Sequence, residues 1–496
     1  MATLVAMGQQ WSYQFDSPDR LTRVTDGIEL GGNFILSTSS YTPLIEPNGV
    51  THLISLDGSG VHLQTRRLWN NTYSGATRTL LQKPDSLWFY AVGELKDSAG
   101  EWNYHVYRSN ADLEALDSST VGMPNVVSAF LDNACLSQSG DIVIAGSGRS
   151  TEGSVFDVFQ LIRLGPDGDS ITSNRMQNGF FFVPRHIVEL HPDTFLVSSF
   201  GAPALPEFAN GTSSYLSFGA GLNLLGGFLG VAYDGSDDFP WFPNSLWDQA
   251  HMIPLPSGNI LVGGHAGSLD APGMQCLVQK ISSTGEHISA FTPRSEFAHD
   301  LTALYGNLSR TADGNILFAF MANFQPGPPT PFAPTEPNRL HVYKLDTALN
   351  VICANVLDGF PENAFYWLDR IKGTADGGYL LMGSRVDLNQ PEVHFEGWVR
   401  KFSAEDCYTG LEEQVVSRPV EVYPNPAIDE ISFTLNGPSQ QALVQLYNVQ
   451  GRAVGEALFV YGQATAHVGN LASGMYLYRI TDRSGKPITS GRWLKQ

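Results

Sequence analysis

The sequence predicts an all-β fold: a seven-bladed β-propeller followed by a small immunoglobulin-like β-sandwich. Three observations carry that expectation. Fifty glycines and 29 prolines among 496 residues, with 11% aromatics, punctuate short runs of valine, isoleucine and tyrosine, as in proteins built of many strands joined by turns. One turn-plus-strand unit recurs seven times. After Cys407 the recurrence stops and a differently patterned stretch begins at Val420.

The seven copies are LGGNFILSTSS, KPDSLWFYAVG, QSGDIVIAGSG, HPDTFLVSSFG, PSGNILVGGHA, ADGNILFAFMA and ADGGYLLMGSR, with Asn33, Ser86, Asp141, Thr194, Asn259, Asn315 and Gly378 at the equivalent position. Successive separations of 53, 55, 53, 65, 56 and 63 residues leave room for about four strands per unit. Most copies are followed by a variable polar loop and a second strand that turns on Asp, Gly or Ser, such as FQLIRLGPDGDS or CLVQKISSTGEH, which are hairpin signals. Four-stranded units repeated at this spacing predict propeller blades, each burying its faces against its neighbours. Near the N-terminus, Trp11, Tyr13 and Phe15 alternate with polar residues. That strand is expected to pair with the last blade and close the ring, removing an exposed edge.

The expected domains are residues 1–9, the remnant of an export signal whose charged leading region is missing; 10–407, the propeller; 408–419, a linker; and 420–496, a separate C-terminal unit. Lysine and arginine number 29 against 49 acids, a net charge of −20, which disfavours nucleic acid and anionic lipid as partners. No apolar run approaches the ~18 residues of a membrane-spanning helix. Cys135, Cys276, Cys353 and Cys407 are far apart and form no CxxC pair, so no metal or other cofactor is indicated, and disulfide pairing stays open.

Stepping back eight residues from each repeat position reaches Thr25, Arg78, Asn133, His186, His251, Asn307 and Arg370, all polar. The next positions are Asp26, Thr79, Ala134, Ile187, Met252, Leu308 and Ile371, mostly apolar. Because side chains alternate along a strand, the first set is expected to face the central channel. Arg78, Asn133, His186, His251, Asn307 and Arg370 then form a locally cationic ligand-binding ring; the same residues also read as solvated side chains lining a water-filled channel.

Catalytic motifs of the HExxH, P-loop and GxSxG kinds are absent. The insertion DGSDDFPWFPNSLWDQAH places Asp237 and Asp238 beside Trp241 and Trp247, acids and aromatic platforms that suit sugar binding or a carboxylate pair for glycoside hydrolysis. Glu296, His299 and Asp300 form a second candidate cluster. The first segment also reads as an acidic surface loop whose tryptophans pack on the blade. The activity expected is therefore binding or adhesion toward an extracellular glycan or protein. The alternative is an extracellular polysaccharide hydrolase or lyase with its site on the propeller face where the long loops gather.

From Val420 onward the motifs are VYPNP, ISFTL, VQLYNVQGRAV, LASGMYLYRI and the terminal GRWLKQ. Pro424 and Pro426 impose extended backbone, Gly451 permits a hairpin turn and Gly474 breaks the chain before the next strand. In order and spacing this unit resembles the C-terminal sorting domain of type IX secretion cargo from Bacteroidetes. The resemblance implies that Tyr423, Pro424, Asn425, Pro426, Gly451, Gly474 and Tyr476 belong to a sorting signal. It further implies passage through the periplasm, recognition by an outer-membrane type IX translocon and a sorting protease, and delivery to the cell surface or the medium.

Overall fold

The computed structural model describes residues 10–15, 21–41, 49–68, 74–83, 86–151, 157–177, 183–200, 213–229, 251–266, 275–293, 300–303, 305–323, 334–390, 393–406, 420–435, 442–448, 452–459, 463–482 and 487–496. The expected export-signal remnant and linker lie outside them. The chain divides into two compact units, residues 1–409 and 410–496.

In the first unit, seven antiparallel sheets succeed one another along the chain. Their innermost strands are Leu21–Leu30, Ser74–Gln82, Val126–Leu136, Val183–His191, His251–Pro254, the pair Asp300–Thr302 and Leu308–Arg310, and Ala364–Gly373. The other strands of each blade follow outward in chain order. Only the last blade borrows: its outermost strand is Trp11–Phe15, which runs antiparallel to Phe395–Phe402 with Trp11 opposite Lys401 and Phe15 opposite Gly397. The ring therefore closes through the N-terminal strand, as its alternation predicted. Trp11 packs edge-on against Phe34 of the first blade at 5.2 Å.

Blades adhere because both faces of each sheet are apolar. Tyr90 and Val92 of blade two meet Ile142 and Ile144 of blade three, and Phe159 and Leu161 of blade three meet Phe195 and Val197 of blade four. Each such side chain contributes about 1.5–3 kcal/mol when withdrawn from water.

Outer hairpins show two solutions to one geometric demand. In blades one, three and five, Gly60, Gly168 and Gly285 hold φ between 83° and 89°. At the matching turn position of blades two, four and six stand Leu113, Leu222 and Leu349, with φ of 52°, 57° and 71°. A left-handed leucine costs about 1–2 kcal/mol. All three are buried, and that burial offsets the strain.

Innermost strands carry the feature that matters for the channel. In blades one, two, three, four and seven the register slips at one common level, between Val24 and Asp26, Thr77 and Thr79, Leu131 and Asn133, Pro184 and His186, and Leu368 and Arg370. A bulge at the same level in each blade re-aims side chains toward the axis and suspends strict alternation there. Blade six breaks altogether at that level: Asp300–Thr302 and Leu308–Arg310 both pair with Ile316–Ala322, while Tyr305 and Gly306 leave the sheet.

The second unit is a two-sheet sandwich. Val420–Tyr423, Glu430–Leu435 and Gln463–His467 form one sheet, and Ala453–Leu458, Ala442–Asn448, Gly474–Asp482 and Pro487–Lys495 the other. Between them lie Ile431, Phe433, Val444, Ile480 and Trp493. Cys353 of the first unit is disulfide-bonded, whereas Cys135 and Cys276 are free thiols. Among the described residues, no helix is long and apolar enough to cross a membrane.

Candidate functional site: the axial channel

Every innermost strand begins on the face where long connections gather and ends on a face of short turns. Toward the long-loop face the channel is plugged. Tyr305, displaced from blade six, donates its backbone N–H to the Asp369 carbonyl at 2.8 Å, and Gly306 accepts from the Ile371 N–H at 2.8 Å. The Tyr305 hydroxyl accepts from Arg78 Nη1 of blade two at 2.6 Å. Arg78 also donates through Nε to Glu94 Oε1 at 3.0 Å. Burial opposes the charge of Arg78, but Glu94 and Tyr305 outweigh it and its pKa is raised. From blade one, Arg23 lies 5.6 Å from the Tyr305 ring and 5.7 Å from that of Trp367, and its Nε donates to Asp369 at 2.9 Å. Asp369 is fully buried, and burial holds its carboxyl above the ordinary range even with Arg23 beside it. Four blades thus meet through one tyrosine and two ion pairs.

Beyond the plug, toward the short-turn face, opens a cavity of about 530 Å³. Asn133, His186 and Arg370 line it. Arg370 reaches from blade seven to its neighbours: Nε donates to the Thr25 carbonyl at 3.3 Å and Nη2 to the Arg78 carbonyl at 3.2 Å. Its Nη1 lies 3.5 Å from Asp26. Asp26 is fully buried, accepts from the N–H groups of Gly27 and Leu80 at 2.8 Å each, and has Lys372 Nζ at 3.4 Å. Two cations therefore converge on one carboxylate, each of whose oxygens already accepts a backbone N–H.

The histidines are neutral for a physical reason. Burial lowers the pKa of His186 to about 3, helped by Arg370, and burial together with His186 and Arg370 lowers that of His251 well below its usual value. Their rings lie 4.4 Å apart. His186 Nδ1 accepts from the Met252 N–H at 3.2 Å, so its single proton sits on Nε2, a donor. At this end of the channel three nearly fully buried polar atoms have no hydrogen-bond partner: Asn133 Nδ2, His251 Nε2 and Thr79 Oγ1. Such an orphan costs about 1–3 kcal/mol, and native structures keep few of them without a use.

Of the six ring residues singled out in the sequence, the structure brings Asn133, His186 and Arg370 to the cavity and sets His251 against His186. Arg78 belongs to the plug. Asn307 is buried, its carbonyl accepting from the Ala319 N–H at 3.0 Å. Thr25 donates its hydroxyl to the Thr77 carbonyl at 2.8 Å, tying blade one to blade two. Asp237, Asp238, Trp241 and Trp247 lie outside the described residues, as do Glu296 and His299; Asp300 is buried at a strand start. Sequence reasoning missed Asp26, Glu94, Tyr305 and Lys372. A signal existed for Asp26, the one acid among positions that are mostly apolar.

In the second unit, Asn425 Oδ1 accepts from the Leu494 N–H at 2.9 Å. Ala427 donates to the Leu494 carbonyl at 2.8 Å and accepts from the Gln496 N–H at 2.9 Å. The YPNP segment is thereby clasped to the last strand. Tyr476 stacks on Trp493 at 5.0 Å and donates its hydroxyl to the Ala472 carbonyl. Gly451 lies outside the described residues.

Fold and tail together define a class, an exported propeller carrying its own address. Residues 421–490 match the secretion system C-terminal sorting domain family. The chain is accordingly cargo of type IX secretion, a secreted or cell-surface protein that engages that machinery. No curated protein matches it. Among solved structures it is similar to the β-propeller domain of the trilobed protease from Pyrococcus furiosus, at 8% identity and TM-score 0.41 over 79% of this chain and 98% of that one. A DUF4221 family member from Bacteroides vulgatus shows 10% identity and TM-score 0.37 over 80% and 96%. An acylaminoacyl peptidase complex shows 10% identity and TM-score 0.43 over 85% of this chain and 59% of that one. These likenesses carry no argument about activity; the propeller assignment rests on the sheet topology above.

Proposed function

We propose that this exported propeller is a binding or adhesion module that holds an extracellular ligand, glycan or protein, at its axial cavity. The observation that carries the reading is the buried, unpartnered Asn133 amide in a cavity that also presents Arg370 and the Nε2 proton of His186. A pocket of this volume is in the range that small ligands or single protruding groups fill. Asn133, His186 and Arg370 are the contacts, His251 and Asn307 support them, and Arg78 fixes the base. The loop residues Asp237, Asp238, Trp241 and Trp247 are a second proposed contact surface. The test is the full chain on arrays of glycans and of immobilised surface proteins. Binding that weakens in Asn133→Leu is expected; no binding to either array refutes the module.

For the tail, we assign the signal read by the outer-membrane translocon and the sorting protease to Tyr423, Pro424, Asn425, Pro426, Gly451, Gly474 and Tyr476. The clasp of Asn425 on Leu494 supports this, because it presents the motif on a fixed strand pair. Deleting residues 420–496 in a host that runs type IX secretion should strand the propeller in the periplasm. Unchanged delivery would falsify the assignment.

A further inference from the structure

Resting on the proposed function of the axial cavity, we infer that its ligand presents a carboxylate, received between Arg370, Lys372 and the Asn133 amide. Charge comes first. Asp26 is the buried acid at the base, and it is already satisfied by two backbone N–H groups at 2.8 Å. Arg370 and Lys372 both approach it, at 3.5 and 3.4 Å, too long for good hydrogen bonds. At the base one buried negative charge faces two cations, while the acid that lines the cavity, Glu29, stands at its mouth; the base alone therefore carries a surplus of one positive charge, which a monoanion neutralises.

Donors come second. Arg370 spends Nε and one Nη2 proton on carbonyls of two blades, which leaves further N–H groups of its five for a ligand. Lys372 has three protons and one distant acceptor, and its side chain is about a third exposed. Asn133 Nδ2 has no acceptor. His186 offers an Nε2 proton and, being neutral, adds no charge to the count. A group that accepts from several donors at once, planar and singly charged, is a carboxylate; charge-assisted bonds to it are roughly twice as strong as neutral ones.

Geometry comes third. Tyr305 plugs the channel toward the long loops, so a ligand enters from the short-turn face and presents its acid head first to the base. Glu29 at the mouth accepts the Ala375 N–H at 2.8 Å and repels a second acid group, so a single carboxylate on an uncharged body fits best. Two sources share this chemistry, a hexuronate unit of an acidic glycan and the C-terminal carboxylate of a peptide.

Isothermal titration of the full chain with glucuronate, N-acetylglycine and glucose tests the inference. At least one of the two carboxylates should bind, glucose should not, and the one that binds identifies the source. Lys372→Gln should weaken it roughly tenfold or more. Asn133→Leu should weaken it by a smaller factor without lowering the unfolding midpoint, so lost affinity cannot be assigned to misfolding. Glucose binding as well as glucuronate would overturn the carboxylate while leaving the channel a binding site. No binding of either carboxylate, or binding indifferent to Lys372→Gln, would overturn the inference; the arrays decide separately whether the propeller binds anything.

Discussion

The two ends of the axial channel are lined by the same set of innermost strands yet differ in how their polar groups are spent. Toward the long loops, Arg23 meets Asp369, Arg78 meets Glu94, and Tyr305 lies among them. Toward the short turns, Asn133 Nδ2 and His251 Nε2 have no partner and two cations crowd one acid. Satisfied buried networks rigidify and specify a structure; unsatisfied ones cost stability and persist where something else uses them. The first end is a fastening that ties blades one, two, six and seven, and the second is the end proposed above as the receptor.

The largest test of that contrast is Asp369→Leu. Removing one member of a buried ion pair leaves Arg23 facing an apolar side chain, and urea unfolding should show a loss of about 3–5 kcal/mol. A loss below about 1 kcal/mol would mean the plug is not a fastening. Next comes acid, which should strike the cavity end. His186 has a folded pKa of about 3 against an ordinary value of 6.5, so the unfolded chain binds the proton first. Its contribution is full above about pH 6.5 and is lost as pH falls toward 3, about 2 kcal/mol already at pH 5. Buried His105 and His341, each lowered to about 4, add to the same slope. Replacing His186 with Gln should flatten the fall between pH 7 and 5, measured as the unfolding midpoint at each pH. Smaller again is Tyr305→Phe, which deletes the hydroxyl that accepts from Arg78 and should cost about 1.5 kcal/mol, with the cavity's ligand affinity unchanged.

Why the sequence revealed one end better than the other is itself physical. Blades were legible because turns and apolar strands repeat, and ring closure because Trp11, Tyr13 and Phe15 alternate. The sorting domain was legible because its motif residues are clasped to each other, Asn425 to Leu494. Strict alternation pointed to polar residues at the axis, but bulges at that level in five blades suspend the period of two, so which of them face the cavity could not be read. Tyr305 was invisible because blade six abandons its strand there, and pairing of Gly306 with Arg370 joins residues 64 positions apart. The buried left-handed leucines at 113, 222 and 349 escaped for another reason: turn rules ask for glycine, and tertiary burial overrode them.

Asn133→Leu carries the smallest expected effect on stability and the clearest meaning. Truncating a partnered buried amide leaves its partner orphaned and costs about 1–3 kcal/mol, whereas replacing an unpartnered one by an apolar group of similar shape removes a desolvated dipole and leaves no orphan behind. Asn133 Nδ2 has no partner, so the substitution should move the unfolding free energy by no more than about 0.5 kcal/mol, and toward higher stability. A binding residue held at a cost has this signature, stabilising when lost while affinity falls. Marked destabilisation would instead make Asn133 part of the fastening, and the contrast between the two ends of the channel would dissolve.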